Sequence, residues 1–160
     1  MTDISPRDPA GDAARAAEFV AFRAGGLEFS INIMSVREIR GWTPATAIPR
    51  APSYIRGVIN LRGVVLPIVD LGVRLGLPGT EPTARHVIIV AQLGDRAAGL
   101  LVDSVSDILS VDDSSIQPTP DVASQLARLF VRGVIAMDGR MISVITMDNV
   151  LPAGGELEAA

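Results

Sequence analysis

An internal repeat is the feature that most constrains the fold of this chain. Residues 55–75, IRGVINLRGVVLPIVDLGVRL, align without a gap with residues 131–151, VRGVIAMDGRMISVITMDNVL. Both segments carry an Arg-Gly-Val-Ile run near their start and a glycine at the position where a hairpin would turn. An earlier stretch also recurs, because Val-Arg-Glu-Ile at 36–39 aligns with Val-Ser-Asp-Ile at 105–108. The sequence therefore predicts one structural unit that is present twice.

The repeated unit covers about residues 18–75 and 86–151, and such copies usually bury their apolar faces on each other. Short apolar runs between turn residues are typical of an all-β sandwich or barrel. Pro67 predicts an edge or a bulge in its strand, since proline cannot donate a ladder hydrogen bond. Two short helices are predicted over 71–77 and 121–129. Four hairpins are predicted, with turns at Gly25-Gly26, Arg62-Gly63, Gly94-Asp95 and Asp138-Gly139.

Composition limits the classes of function. The chain is 48% apolar, 20% charged and only 4% aromatic, which indicates a globular protein with a core of valine, isoleucine and leucine and favours strands. Its net charge of −4 disfavours nucleic-acid binding. The absence of cysteine excludes disulfides and thiolate zinc sites. No uncharged apolar run approaches the length of a membrane span, and the first residues lack the apolar core of a signal peptide. We therefore expect a cytoplasmic protein without direct membrane insertion.

Both ends of the chain are expected to lie outside the folded domain. Residues 1–16 are rich in aspartate, proline and alanine and show no periodicity, which predicts a disordered arm. Residues 152–160 are predicted to be a flexible tail. The folded domain is therefore expected to span residues 17–151.

No residue pattern predicts an active site. The spacings of the zinc-protease, nucleophile-elbow, dinucleotide-binding and phosphate-loop motifs do not occur. The only histidine, His86, is expected at a solvated strand end. Four aspartates could supply oxygen ligands to a metal ion, but they lack the spacing of a calcium-binding loop, and strand-end solubility is the simpler explanation. These are Asp103, Asp107, Asp112 and Asp113.

Two further positions permit both a binding and a structural interpretation. Arg62 occupies a hairpin turn for which the second copy uses Asp138, and it is either a solvated turn residue or a binding group. Trp42 lies in a proline-rich loop and either anchors a partner or caps the barrel core.

The strand that contains residues 36–40 also leaves two interpretations open. Strict alternation places Val36, Glu38 and Arg40 on one face. It places Arg37 and Ile39 on the other. An exposed valine among charges suits a protein contact, and an ordinary strand with one polar face explains the pattern equally well.

The segments VREIRG (36–41) and YIRGVINLRGVVLPIVDL (54–71) closely resemble the CheW family, the adaptors of bacterial chemotaxis. GLLVDSVSDILSV (99–111) and IQPTP (116–120) extend the resemblance, which covers about residues 17–151. It implies an all-β fold of two SH3-like five-stranded β-barrel subdomains that pack together, with short helices.

The resemblance also implies a function. CheW-like proteins are non-catalytic scaffolds without a cofactor, and they link transmembrane chemoreceptors to the histidine kinase CheA at the inner face of the membrane. Their partners are the regulatory domain of CheA, which has the same fold, and the cytoplasmic hairpin tip of methyl-accepting receptors. The family's partner-binding positions match Val36, Glu38, Ile39, Gly57, Arg62, Val105 and Ile108. A groove between the subdomains would receive the receptor tip at Ile33, Val87 and Val102.

Two alternatives remain at this point. An adaptor of the same fold could serve another chemosensory pathway, such as twitching motility or gene regulation. A metal-binding protein or small enzyme could use the aspartates between residues 103 and 113.

Overall fold

Strands dominate the computed structural model, which describes residues 16–79, 81–119 and 129–152. In the described part of the chain, the strands are accompanied by the short α-helices α1 (Leu71–Arg74) and α2 (Met147–Val150) and by two 3-10 turns, and Leu129 and Phe130 are also helical. The strands are β1 (Ala16–Ala24), β2 (Leu27–Asn32), β3 (Val36–Gly41), β4 (Ile55–Leu61), β5 (Val64–Asp70), β6 (Val87–Leu93), β7 (Arg96–Val102), β8 (Ser104–Asp112), β9 (Ile116–Gln117), β10 (Val131–Met137) and β11 (Arg140–Ile145).

The strands form two sheets of matching order. Sheet A has the order β9-β10-β11-β2-β1-β8, and sheet B has the order β4-β5-β7-β6-β3. The two-residue strand β9 has its counterpart beside sheet B in a single bridge between Thr46 and Val58. Each sheet thus contains five main strands in the same arrangement, and the expected fold of two small β-barrel subdomains is confirmed. We call them barrel A and barrel B.

The two sequence repeats exchange their first hairpins. The β1–β2 hairpin of the first copy joins sheet A, where β2 runs parallel to β11 and Phe29 pairs with Ser143. The β6–β7 hairpin of the second copy joins sheet B, where Gly99 of β7 pairs with Ile68 of β5. Barrel B is therefore the continuous segment 36–102, and barrel A is formed by the chain before and after it.

A shared apolar layer joins the barrels. Alternate residues of β1 divide between two clusters, with Phe19 and Ala21 inside barrel A and Val20 and Phe22 between the barrels. Strand β6 divides its side chains in the same way between barrel B and the shared cluster. Because successive strand residues point to opposite faces, these strands are apolar on both sides. We call the shared cluster the central layer; its buried members are Val20, Phe22, Ala24, Phe29, Ile31, Ile55, Val69, Leu71, Ile89, Ala91, Ala98, Leu100, Val102, Phe130, Ile145, Met147, Val150 and Leu151.

The turns follow the sequence prediction closely. All four hairpins turn at the predicted residue pairs. Pro67 pairs with β4, and the ladder to β7 begins one residue later at Ile68, so the strand is locally an edge at the proline. The helix predicted over 71–77 is shorter and ends at Arg74. Of the second predicted helix, residues 121–128 lie outside the described residues, and Leu129 is helical as predicted.

The expected domain ends differ slightly from the structure. Residues 1–15 and 153–160 lie outside the described part of the chain. Ala16, expected in the arm, begins β1 and pairs with Asp112 of β8. Pro152, expected in the tail, is buried.

Candidate partner-binding surface

Arg62 and Glu38 meet on barrel B. Arg62 and Gly63 form the β4–β5 turn with φ of 52° and 86°, and two positive values in succession define a type I′ hairpin turn. The side chain of Asn60 supports the turn, since its Oδ1 accepts a hydrogen bond from Gly63 N at 2.7 Å. From this turn, Arg62 Nη2 donates a hydrogen bond to Glu38 Oε1 on β3. The structure therefore places the arginine beside the carboxylate.

The electrostatics keep Glu38 ionised. The hydrogen bond from Arg62 lowers the pKa of Glu38 below its usual 4.5, partial burial opposes the shift, and the charges of Arg62 and Arg40 add to it. Arg40 Nη1 lies 3.6 Å from the second carboxylate oxygen, Glu38 Oε2. The side chain of Arg62 is 71% exposed. A docking partner can therefore reach the guanidinium without displacing any part of the barrel.

The backbone of Arg62 is strained. A left-handed conformation costs a residue with a β-carbon about 1–2 kcal/mol. Asp138, the equivalent residue of the second copy, has nearly the same φ of 50°, but a short polar side chain tolerates this conformation. Strain that the surrounding structure maintains is often found at binding sites. The first copy thus holds an arginine where the fold itself favours aspartate, asparagine or glycine.

Strand β3 contains a bulge that sequence alternation does not reveal. Its register with β6 shifts between Val36 and Glu38, which leaves Arg37 as the extra residue. Val36 and Ile39 pair with β6 residues of the central layer, whereas Glu38 and Arg40 pair with β6 residues inside barrel B. The predicted common face of Val36, Glu38 and Arg40 is therefore wrong, because one bulged residue reverses the alternation.

The candidate residues of β8 are the repeat counterparts of those on β3. Strand β8 has a register shift at the equivalent place in its pairing with β1. Val105 packs against the central layer as Val36 does. Ile108 and Ile39 are both exposed, by 57% and 45%. These four candidates form two equivalent pairs, one on an outer strand of each described sheet.

Gly57 lies beneath a loop. Its φ is 140°, and a β-carbon at this position would lie 2.3 Å from the carbonyl oxygen of Thr46. The neighbouring Val58 and Thr46 exchange two backbone hydrogen bonds of 2.8 and 2.9 Å. Gly133, the counterpart in barrel A, is approached in the same way by Gln117 of β9. A β-carbon at Gly133 would lie 2.5 Å from the carbonyl oxygen of Gln117. The geometry gives Gly57 a structural task, and it affects the surface through the loop that it seats.

The expected groove residues differ in access. Ile33 and Val87 are half-buried at the edge of the central layer. Val102 is only 1% exposed and supports the other two from inside the layer. Beside Ile33 a cavity of about 430 Å³ opens, and the side chain of Met34 at its rim is 86% exposed.

Barrel B also carries a cavity that the sequence analysis did not identify. It has a volume of about 320 Å³, and its wall includes Arg40, Val58 and Val65 beside Thr43 and Thr46 of the proline-rich loop. Val64 and Val65 are both more than 60% exposed in a strand that is otherwise largely buried. In the sequence, two consecutive valines directly after the turn, where strict alternation would place a polar residue, could have indicated this surface.

Trp42 serves mainly as a cap of the barrel core. It is half-buried against the apolar cluster of barrel B, and its backbone N donates to His86 O at 3.1 Å. Trp42 also lines a second cavity on barrel B, of about 230 Å³, with Pro44 and Pro82. The loop thus closes one end of barrel B and contributes to both cavities on that side.

The histidine and the aspartates have separate structural roles. His86 is not the solvated residue that we expected, because its Nδ1 accepts from Thr83 N at 2.9 Å and its Nε2 lies 3.6 Å from Asp103 Oδ1. Asp107 binds Arg140 at 3.2 Å, Asp113 binds Arg132 at 2.6 Å, and Asp112 Oδ1 accepts from Ser114 N at 2.9 Å. Within the described residues, no three such side chains are grouped to hold a metal ion. None of the described helices has the length and apolarity that a membrane crossing requires.

Comparison with known proteins assigns the chain to a family. Residues 18–154 match the model of the CheW-like domain. The chain is 63% identical over 143 residues to the chemotaxis protein CheW of Rhizobium meliloti, and the alignment covers 89% of this chain and 92% of the relative. It is 61% identical to a probable chemotaxis protein CheW of Rhizobium etli, over the same length and with the same coverage. The crystal structure of the CheW scaffolding protein from Thermoanaerobacter tengcongensis superposes with a TM-score of 0.78 at 30% identity and covers 87% of this chain and 94% of that one. The chain belongs to the CheW family of chemotaxis proteins.

Proposed function

We propose that this CheW-family chain is a non-catalytic adaptor that links transmembrane chemoreceptors to the histidine kinase CheA. The observation that carries the proposal is the family match along nearly the whole folded domain, together with relatives named as chemotaxis and scaffolding proteins. A barrel with exposed edges and no grouped catalytic side chains among its described residues is suited to binding.

The two kinds of surface on the molecule suit two kinds of partner. The apolar edge of the central layer at Ile33, Val36, Val87 and Val105 offers half-buried aliphatic side chains, which fit the apolar face of a helical hairpin such as a receptor tip. The pair of Glu38 and Arg62 on barrel B offers directional charges, which fit the regulatory domain of the kinase. An adaptor that holds both partners raises their effective concentration without any new contact between them.

Reconstitution tests the proposal directly. Membranes that contain a chemoreceptor are mixed with CheA and ATP, with and without this protein, and kinase autophosphorylation is measured. We expect the protein to increase the receptor-dependent part of the rate. An unchanged rate at saturating protein would contradict the proposed function.

Recruitment to the membrane is tested in the same system. The protein should sediment with vesicles that contain the receptor and remain in solution with vesicles of the same lipids without it. Sedimentation with receptor-free vesicles would mean that lipid, and not the receptor, recruits the chain.

A further inference from the structure

Charge is divided unevenly between the two barrels. Barrel B, residues 36–102, contains eight arginines and four acidic residues, a net charge of +4. The segments 16–35 and 103–152, which supply barrel A, contain four arginines and nine acidic residues, a net charge of −5. The overall charge of −4 conceals this polarity, because the two barrels nearly cancel. Opposite potentials on two halves of a molecule orient its encounters with charged partners.

The cations of barrel B are all arginines, and several are available. The side chains of Arg37, Arg50 and Arg85 are exposed. None of the three is in an ion pair with another described residue. Arg62 is also exposed, although it binds Glu38. The planar guanidinium donates two parallel hydrogen bonds to a carboxylate, which makes arginine the preferred cation for recognising acidic side chains.

Backbone strain supplies an independent observation. Within the described residues, three that are not glycine have a positive φ, namely Arg50 at 65°, Arg62 at 52° and Asp138 at 50°. Aspartate tolerates this conformation because its short side chain can bind the nearby backbone, whereas arginine has no such local compensation. Two of the strained positions are therefore exposed arginines on barrel B. Such strain persists where a binding role outweighs its cost to folding.

From the charge division and the two strained arginines, we infer that barrel B docks on an acidic surface of the regulatory domain of the kinase and that the attraction between arginine and carboxylate steers this association. The inference rests on the proposed function and specifies the chemistry of the partner at this face. A nucleic acid also carries negative charge, but the net charge of −5 on the adjoining barrel would repel its phosphates.

Association kinetics test the inference. The full-length protein is mixed by stopped flow with the regulatory domain of CheA and, separately, with a soluble receptor cytoplasmic fragment, at 50 and 300 mM NaCl. For the regulatory domain of CheA, we expect the association rate constant to fall roughly tenfold at the higher salt. Arg50→Asn should slow association roughly threefold at 50 mM NaCl, while its melting temperature is unchanged or higher because asparagine relieves the strain.

Two control variants separate charge from strain. Arg132→Asn removes the same charge from barrel A, where the arginine binds Asp113. Asp138→Asn changes the equivalent strained turn of barrel A. Both should associate within twofold of the unchanged protein.

The outcomes distinguish this inference from the proposed function. Binding to both partners with rates that neither salt nor Arg50→Asn changes would overturn the inference and leave the adaptor role intact. Tight binding of a DNA duplex at 150 mM NaCl, or self-association that competes with both partners, would also overturn it, because the acidic surface would then be a nucleic acid or barrel A of a second copy. Absence of binding to either partner at 50 mM NaCl would overturn the proposed function and the inference together.

Discussion

At the scale of single residues, the two equivalent turns at Arg62 and Asp138 show how the copies have diverged. The backbone is nearly the same in both, with φ of 52° and 50°. Among the described residues, only the arginine of the first turn has an ion-pair partner, Glu38 on β3. The hairpin requires the conformation and not the arginine. The choice of arginine is therefore explained by what its side chain contacts.

Charge reversal tests this explanation. Arg62→Glu should reduce affinity for the kinase domain by at least tenfold, because it places a carboxylate opposite an acidic surface, and Glu38→Arg should reduce it because Arg62 loses the carboxylate that orients it. Both variants should show little change in melting temperature, since exposed ion pairs contribute little to folding. Because the two side chains bind each other, the double reversal should recover part of the loss. Asp138→Arg is the control, since it places an arginine in the equivalent turn of barrel A and should leave affinity unchanged. Full affinity of Arg62→Glu would show that the arginine is only a solvated turn residue.

Sequence reasoning succeeded at some residues and failed at others for physical reasons. The turn at Arg62-Gly63 was predictable because a glycine after a polar residue between apolar runs is a local signal. The faces of β3 were not predictable, because a single bulged residue, Arg37, reverses the alternation. A bulge of this kind has no characteristic residue type that would reveal it in the sequence. The strain at Arg50 lies in a loop without periodicity, where no pattern indicates φ.

At the scale of elements, glycines decide how each barrel closes. Gly57 and Gly133 each allow a neighbouring backbone to approach within 2.3 and 2.5 Å of where a β-carbon would lie. The approaching chains, the loop at Thr46 and strand β9, occupy equivalent positions beside β4 and β10. The same close contact therefore seals both barrels.

Two glycine-to-alanine substitutions, both at positions with positive φ, distinguish the cost of backbone strain from the cost of steric overlap. Gly57→Ala should lose more than about 2 kcal/mol of unfolding free energy, because the β-carbon overlaps the Thr46 carbonyl. Gly63→Ala should lose only about 1–2 kcal/mol, since its φ of 86° is strained but no atom lies within 4 Å. Urea denaturation of both variants provides the measurement. Equal losses would show that the loop yields easily to the extra methyl group.

An ion-pair network joins three strands of barrel A. Arg140 on β11 donates to Glu28 on β2 at 2.6 Å and to Asp107 on β8 at 3.2 Å. These hydrogen bonds from Arg140 lower the pKa of Glu28 below its usual 4.5, against partial burial, and the charge of Arg23 assists. The folded-state pKa is therefore below the unfolded one, and the stabilisation is present in full above about pH 4.5.

The pH dependence of this network follows from the direction of the shift. The unfolding free energy of Arg140→Gln should fall below that of the unchanged protein at pH 7, and the difference should shrink as the pH drops below 4.5 and Glu28 becomes protonated. Arg23→Gln, which removes a more distant cation at 3.9 Å, should show a smaller effect of the same sign. Thermal unfolding from pH 7 to pH 3 measures both. A difference that stays constant across this range would exclude Glu28 as the titrating group.

The hairpins were predictable as elements, but their partners were not. Each turn is marked by local residues, and all four lie where the sequence predicted them. The parallel pairing of β2 with β11 joins segments more than a hundred residues apart, and no local pattern encodes which sheet a hairpin enters. The repeat was visible in the sequence, whereas the exchange between its copies was visible only in the fold.

At the scale of the whole molecule, the central layer makes the two barrels interdependent. It takes buried side chains from strands of both sheets, including Phe22 and Phe29 from barrel A and Val69 and Leu100 from barrel B. Neither barrel can separate without exposing this layer to water. The high apolar content of these strands, on both faces, was readable from the sequence and is explained by this arrangement.

A truncation in the central layer should therefore destabilise both barrels together. Leu100→Ala removes a fully buried side chain and should cost about 2–5 kcal/mol. Hydrogen exchange should show an equal loss of protection in the slowest amides of β4 in barrel B and β10 in barrel A. Loss confined to β4 would show that the barrels unfold independently.

The exchange of hairpins has a consequence for how such a chain could arise. A polypeptide with only one copy of the unit would hold three strands of one barrel and the hairpin of another, so it could complete neither alone. Two such polypeptides would complete each other as a symmetric, swapped dimer whose stability depends on concentration. Joining the copies in one gene makes the exchange intramolecular and removes that dependence. It also allows the two copies to diverge in sequence, so that one turn has an aspartate while the equivalent turn has an arginine that binds Glu38.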